Sequence, residues 1–202
     1  MRRRRMRPMG TMEGLDVTDC ERCDALVESR SRIVNGVGPE DAALLFVGEA
    51  PGEREDAEGE PFVGRSGAVL DEVLRDNGLA RGDVRITNCV RCRPTGNRDP
   101  TGEELSNCRG YLEAEVEAVD PEVLVTLGKV PSQHLLGRDV AITSEAGSVE
   151  AVELGGAARD VLLCVHPAAS LYDRRQRETL ERAIEKAATM AGAGDQSTLG
   201  SF

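Results

Sequence analysis

Residues 43–52 read Ala-Leu-Leu-Phe-Val-Gly-Glu-Ala-Pro-Gly, and their order decides the fold class. Residues 43–47 are an unbroken apolar run, as expected of a strand buried on both faces. Gly48 and Gly52 then bracket a tight, acid-bearing turn. Residues 84–90, 123–127 and 161–165 repeat the same kind of run. Helical patterns lie between them. Residues 66–77 carry Val69, Leu70, Val73 and Leu74 on one face, with Gly78 as a natural stop. Thr101 and Glu104 form a capping box. It opens a helix striped by Leu105, Cys108, Leu112, Val116 and Val119, which Asp120-Pro121 ends. Residues 130–136 form a short helix ended by Gly137, and residues 174–190 an amphipathic one with Leu180, Ile184 and Ala187 inward. The stretch 140–152 is Gly-punctuated and alternating, and is expected to form a hairpin insertion. This succession predicts a three-layer α/β/α domain over residues 13–190, with an open, mainly parallel four-stranded sheet.

The length of 202 residues suits one domain with tails. Residues 1–12 hold five Arg and no acid, and no apolar h-region follows, so they are expected to be a disordered basic tail rather than a signal. Residues 191–202 begin as a Gly/Ala linker and are expected to be a flexible tail. No apolar run is long enough to span a membrane, so the expected setting is cytoplasmic. Hydrophobic residues make up 40% of the chain, which excludes wholesale disorder. The formal net charge is −11, and setting aside the five Arg of the tail takes it to −16. Only Lys129 and Lys186 are lysines. Acid excess, Arg in place of Lys and few large apolar residues fit a halophilic chain, since the Debye length is only ~3 Å at 1 M salt. Taken alone, the charge argues against a nucleic-acid partner.

Ligands of open α/β sheets bind outside the carboxyl ends of the strands. There this chain carries Gly48-Glu49-Ala50-Pro51-Gly52, Asn88, Gly128-Lys129 and His166-Pro167. An acid, an amide and a histidine therefore converge on one edge. The chain also has 6 Cys. Cys20-x2-Cys23 and Cys89-x2-Cys92 both have metal-ligand spacing, and Cys108 falls early in the following helix. Four thiolates suit zinc or an iron–sulfur cluster, and spacing chooses neither the metal nor between Cys89 and Cys92. Cys164 lies within a strand run and is expected in the core.

Three separated motifs carry a resemblance. The first is Gly48-Glu49-Ala50-Pro51-Gly52-x3-Asp56-x2-Gly59-x-Pro61-Phe62-Val63-Gly64-x2-Gly67. The second is Ile86-Thr87-Asn88-Cys89-Val90-Arg91-Cys92-Arg93-Pro94 with Asn97-Arg98, and the third His166-Pro167-Ala168-Ala169. In this order, and with the cysteines, they resemble the type 4 uracil-DNA glycosylases, the iron–sulfur branch of that superfamily. The resemblance runs from about Cys20 to the last helix. It implies Cys20, Cys23, Cys92 and Cys108 as ligands of a 4Fe–4S cluster of structural role, leaving Cys89 out. It also implies uracil-containing DNA, single- and double-stranded, as substrate, and cleavage of the N-glycosidic bond without strand cutting.

That reaction passes through an oxocarbenium-like sugar and an anionic uracil, after the base has been flipped from the stack. Phe62 is the expected stacking wall, worth ~1–3 kcal/mol per base. The planar amide of Asn88 matches the N3–H and O4 edge of uracil and mismatches cytosine. His166 is the expected donor to the developing O2 anion. Glu49 is the expected acid group near the sugar, orienting or deprotonating water and stabilising the cation. The backbone of Gly48, Ala50, Pro51 and Gly52 can approach the target nucleotide closely. The resemblance also implies that Glu55 and Asp56 lie near the pocket. Arg91, Arg93 and Arg98 form a basic stretch suited to phosphate. Leu171 reads as a core residue or, less favourably, a wedge into the vacated stack.

The chain ends Gln196-Ser-Thr-Leu199-Gly-Ser-Phe202, which resembles the peptide that docks on sliding clamps. One helical turn sets Leu199 and Phe202 on one side for an apolar pocket, while Gln196 takes a polar one. Two other readings compete with the enzyme. A non-catalytic, cluster-bearing repair adaptor would keep the cysteines but not Glu49, Phe62, Asn88 and His166. A relative that bonds covalently to the abasic site carries a nucleophilic His in an insertion. Here the loop after Cys92 reads Arg93-Pro94-Thr95-Gly96-Asn97-Arg98, with none.

Overall fold

β3 (Leu44–Gly48) lies second from one edge of a five-stranded sheet, and all of its residues are buried. The computed structural model describes residues 10–192. Beside β3 run β4 (Arg85–Asn88) on one side and β5 (Val123–Leu127) on the other, followed by β7 (Ala157–Cys164) and β6 (Val149–Leu154). The first four are parallel and β6 is antiparallel to β7. Side chains alternate across β3. Leu44 and Phe46 pack with Val69, Leu70, Val73 and Leu74 of α3 (Arg65–Asp76) and with Leu180 and Ile184 of α7 (Arg174–Met190). Leu45 and Val47 pack with Leu112, Val116 and Val119 of α4 (Gly102–Val119) and with Leu135 of α5 (Lys129–Leu136). An apolar layer on each face explains why the run does not alternate: each buried side chain of this size contributes ~1.5–3 kcal/mol.

The three layers match the expectation, but the sheet has five strands rather than four. The extra strand comes from the stretch read as a hairpin insertion. Its first part is instead the short α6 (Ile142–Glu145), and its second part is β6. The hairpin joins β6 to β7 through Gly155 and Gly156, both left-handed (φ 60° and 77°), as a two-residue turn requires. β7 starts earlier than expected because residues 157–160 pair only on the antiparallel edge. There they alternate between half-buried and exposed, and carry no unbroken apolar signal. No helix among the described residues is long and apolar enough to cross a membrane.

The expected 1–12 tail is also too long. β1 (Thr11–Glu13) pairs with β2 (Asp16–Asp19), and the Gly10 N–H donates to the Tyr111 hydroxyl at 2.6 Å. The pairing and α1 (Asp24–Ser29) leave little mark in the sequence because their side chains carry little apolar periodicity. Their apolar residues Val17 and Leu26 are buried in a third cluster with Cys20, Cys92, Cys108 and Tyr111. Cys89 belongs instead to the second cluster, with Leu112, Val116 and Val119 of α4.

A buried charge network ties these parts together. Glu115 of α4 accepts from Arg85 Nε and from Arg91 Nη2, both at 2.8 Å. Arg91 also donates to Asn35 Oδ1 at 3.0 Å, and that oxygen accepts from the Val17 N–H at 2.9 Å. The edge strand β4, the loop after it, α4 and the N-terminal hairpin are thus fastened at one point.

Candidate active site and metal centre

β3 and β4 pair in register so that Gly48 lies beside Asn88. A Cβ on Gly48 would stand 2.2 Å from Asn88 Oδ1 and 2.6 Å from a Phe62 ring carbon. Only glycine admits both side chains to the strand end. Asn88 is 3% exposed, and its Nδ2 has no hydrogen-bond partner. An orphaned buried donor calls for an explanation, and a bound ligand edge is one.

Phe62 is 3% exposed and left-handed, with φ 55°. Such a conformation costs a non-glycine residue about 1–3 kcal/mol and persists only where neighbours impose it. Glu55, in α2 (Glu53–Glu58), accepts from the N–H groups of Phe62 and Gly52 with its two oxygens. Arg81 donates to the carbonyls of Pro61 and Phe62, and pairs with Asp71 at 3.1 Å. Gly67 lets the first turn of α3 close on the Phe62 carbonyl, where any Cβ would clash at 1.6 Å. Glu55 is therefore engaged with backbone rather than free to meet a substrate. Burial raises its pKa, against the pull of its two backbone hydrogen bonds and Arg81. Asp56, expected near the pocket too, is buried and accepts from the N–H groups of Ser31 and Arg32.

His166 follows β7, and its ring centroid is 5.7 Å from that of Phe62. Its Nδ1 accepts from the Ala168 N–H at 3.1 Å. A backbone amide can only donate, so Nδ1 is bare and the ring proton sits on Nε2. Burial pushes its pKa down to about 4, so the ring is neutral at pH 7. Gly128, φ 111°, gives the ring room: a Cβ there would lie 3.2 Å from His166 Cβ. Glu49 is half-buried, and burial, with Asp99 nearby, pushes its pKa up to about 7. Its carbonyl accepts from the Val90 N–H at 3.0 Å, which seats the 48–52 loop on the segment leading to Cys92. Pro51 is buried and Gly52 half-buried in the same loop, and Ala50 packs against the cysteine-containing cluster.

Cys20, Cys23, Cys92 and Cys108 line one small cavity, together with Arg22, Leu26, Arg30 and Asn107. Among the described residues no group of three or more His, Cys, Asp or Glu is arranged to hold a single metal ion. Burial pushes the Cys108 thiol up to about 12, and Cys92, Cys23 and Cys20 raise it further as like charges. That mutual repulsion is what a cationic metal core would relieve. Arg30, Asn107 and Tyr111 hydrogen-bond to this cage. The chain carries no local sequence signal for them, nor for Arg81 or Glu115.

The basic stretch is used differently than expected. Arg91 is buried against Glu115, Arg98 pairs with Glu104 at 2.6 Å, and Arg93 bonds Asn97 at 2.8 Å. Leu171 packs partly buried against the main core, whereas Tyr172 next to it is 81% exposed, with the Arg65 guanidinium 5.9 Å from its ring centre. Gln196, Leu199 and Phe202 lie outside the described residues.

Residues 35–188 match the family described as the uracil DNA glycosylase superfamily. A type-4 uracil-DNA glycosylase of Archaeoglobus fulgidus is 42% identical over 190 residues, covering 90% of this chain and 95% of that protein. One from Thermotoga maritima is 41% identical over 174 residues, covering 85% and 88%. One from Sulfurisphaera tokodaii is 36% identical over 192 residues, covering 93% and 87%.

Proposed function

The chain belongs to the type-4 uracil-DNA glycosylase family, and we propose that Glu49, Phe62, Asn88 and His166 carry its chemistry. The reaction is hydrolysis of the N-glycosidic bond of deoxyuridine in DNA, which releases uracil and leaves an abasic site. The observation that carries the assignment is the unpaired Asn88 amide, buried beside Phe62 at the Gly48 gap. It supports an edge-reading role: cytosine presents a donor where uracil presents O4, so the wrong base leaves buried groups unpaired. Phe62 supplies the stacking face. The neutral His166 donates from Nε2 as charge builds on O2. Glu49, once ionised, orients water and offsets the cationic sugar. Glu55 and Arg81 act through Phe62, holding its ring in place.

Cys20, Cys23, Cys92 and Cys108 fit a 4Fe–4S cluster, each with a hydrogen-bond donor at hand and all on one cavity. Bound there, the cluster supplies a covalent fastening between the N-terminal turn, the loop after β4 and α4. Hydrolysis itself draws on the protein side chains. The acidic, lysine-poor composition supports a setting of high salt. Residues 196–202 support docking on a sliding clamp.

The test is uracil release from a labelled oligonucleotide by purified holoprotein, across a pH series. Glu49 is protonated below about pH 7 and ionised above it, so the rate should rise with pH through about 7. Glu49→Gln should remove most of the rate and flatten that limb. No uracil release from either strand form would sink the enzyme reading. For the tail, a chain lacking residues 196–202 should lose clamp binding by calorimetry and keep its rate on free oligonucleotides. Unchanged clamp affinity would count against the docking role.

A further inference from the structure

Each of the four cage sulfurs meets its own donor. Arg30 Nη1 donates to Cys92 Sγ at 3.0 Å, and Asn107 Nδ2 to Cys23 Sγ at 3.3 Å. The Arg91 backbone N–H donates to Cys108, and the Tyr111 hydroxyl hydrogen-bonds Cys20. Of these donors only Arg30 brings a charge. Its second nitrogen, Nη2, donates to the Cys20 carbonyl at 2.9 Å. One guanidinium thus spans the Cys20–Cys23 turn and the loop carrying Cys92, which are far apart in the chain. The residue before it reinforces the joint: Ser29 Oγ donates to the Arg93 carbonyl at 2.6 Å. Arg30 is half-buried, so its charge is only partly screened by water.

We propose that Arg30 is a positioning residue for the cluster, serving as its counter-charge and as the latch between two of its ligand segments. The proposal rests on the cluster reading above. Four thiolates bring more negative charge than an iron–sulfur core neutralises. Holding that excess away from water is unfavourable, and one added electron makes it worse. A guanidinium bonded to one sulfur offsets it. Net charge and hydrogen bonds to sulfur set the reduction potential of such clusters. Outer-shell partners of this kind typically change metal affinity 10- to 100-fold. The fork geometry matters as well, since a single ammonium cannot reach Cys92 Sγ and the Cys20 carbonyl in the same planar way.

The experiment compares holoprotein of the wild type, Arg30→Gln and Arg30→Lys. The reduction potential is read by spectroscopically monitored titration, and iron release to a chelator by loss of visible absorption. Arg30→Gln should shift the potential to more negative values and release iron about 10-fold faster. Arg30→Lys should keep a potential near the wild type yet release iron faster, because the charge stays and the latch goes. If Arg30→Gln fails to fold, iron release from Arg30→Lys decides: a wild-type rate overturns the latch. Potentials and release rates unchanged in both variants overturn the proposal while leaving the cluster in place. Wild-type protein that binds no iron overturns the cluster reading itself, and the two failures are therefore distinct.

Discussion

His166→Ala should lower the rate of uracil release by about 10²–10³-fold while leaving the fold intact. The size follows from what the ring is prepared to do. Its Nδ1 is occupied by the Ala168 N–H, which leaves the single proton on Nε2. Burial keeps the ring neutral, with a pKa of about 4. A neutral donor fixed before the reaction needs no reorganisation as charge grows on the departing base. The loss should be nearly constant from pH 5 to 9, about the range over which the ring stays neutral. Glu49 should still impose its own limb near pH 7 on whatever activity remains. A His166→Ala protein within tenfold of wild type, or a loss confined to acid pH, would remove His166 from the mechanism. Circular dichroism and the melting temperature should stay near wild type, because the ring's contacts with Phe62 and the Ala168 N–H are local to the site.

Glu115→Ala should destabilise the fold by roughly 3–5 kcal/mol, a large share of the ~5–15 kcal/mol that holds most domains. Its carboxylate is fully buried between two guanidiniums whose side chains are 5% and 3% exposed. Alanine would leave both charges in the interior with a cavity between them. Arg85 retains a bond to the Gly38 carbonyl at 2.7 Å, and Arg91 its bond to Asn35. Neither of those acceptors carries charge. Glu115→Gln should fall between wild type and alanine, since it keeps shape and one acceptor but loses the ion pairs. Denaturant melts read the difference directly. A change under 1 kcal/mol would mean that water or a shifted carboxylate replaces the partner. The same residue fastens the segment from Asn88 to Cys92, so Glu115→Ala holoprotein should also bind uracil-containing DNA more weakly.

Much of the site was legible in one dimension because its parts sit at ends of strands. A strand buried on both faces writes an unbroken apolar run, and the residue after it must emerge at the carboxyl edge. That rule puts Gly48, Glu49, Asn88 and His166 at the ends of β3, β4 and β7. The cysteine pairs were legible because two ligands on one turn need fixed spacing. Sequence does not show which way the oxygens of Glu55 point, since their partners are the backbone N–H groups of Gly52 and Phe62. Arg91 and Arg98 looked like phosphate contacts because their partners, Glu115 and Glu104, lie on a helix that comes later in the chain. The edge strand β6 was blurred because one of its faces is partly exposed, which weakens its apolar signal.

The chain alone determined the layers, the strand ends and the residue types gathered there, since burial and turn chemistry leave periodic, local marks. The tertiary structure alone decided how those residues are held. The left-handed Phe62, the seclusion of the Asn88 amide beside it and the donors around the thiol cage all depend on groups brought in from other elements. Hydrogen bonds and charge pairs act over a few ångströms of space, and a linear order of residues does not record which distant groups come that close.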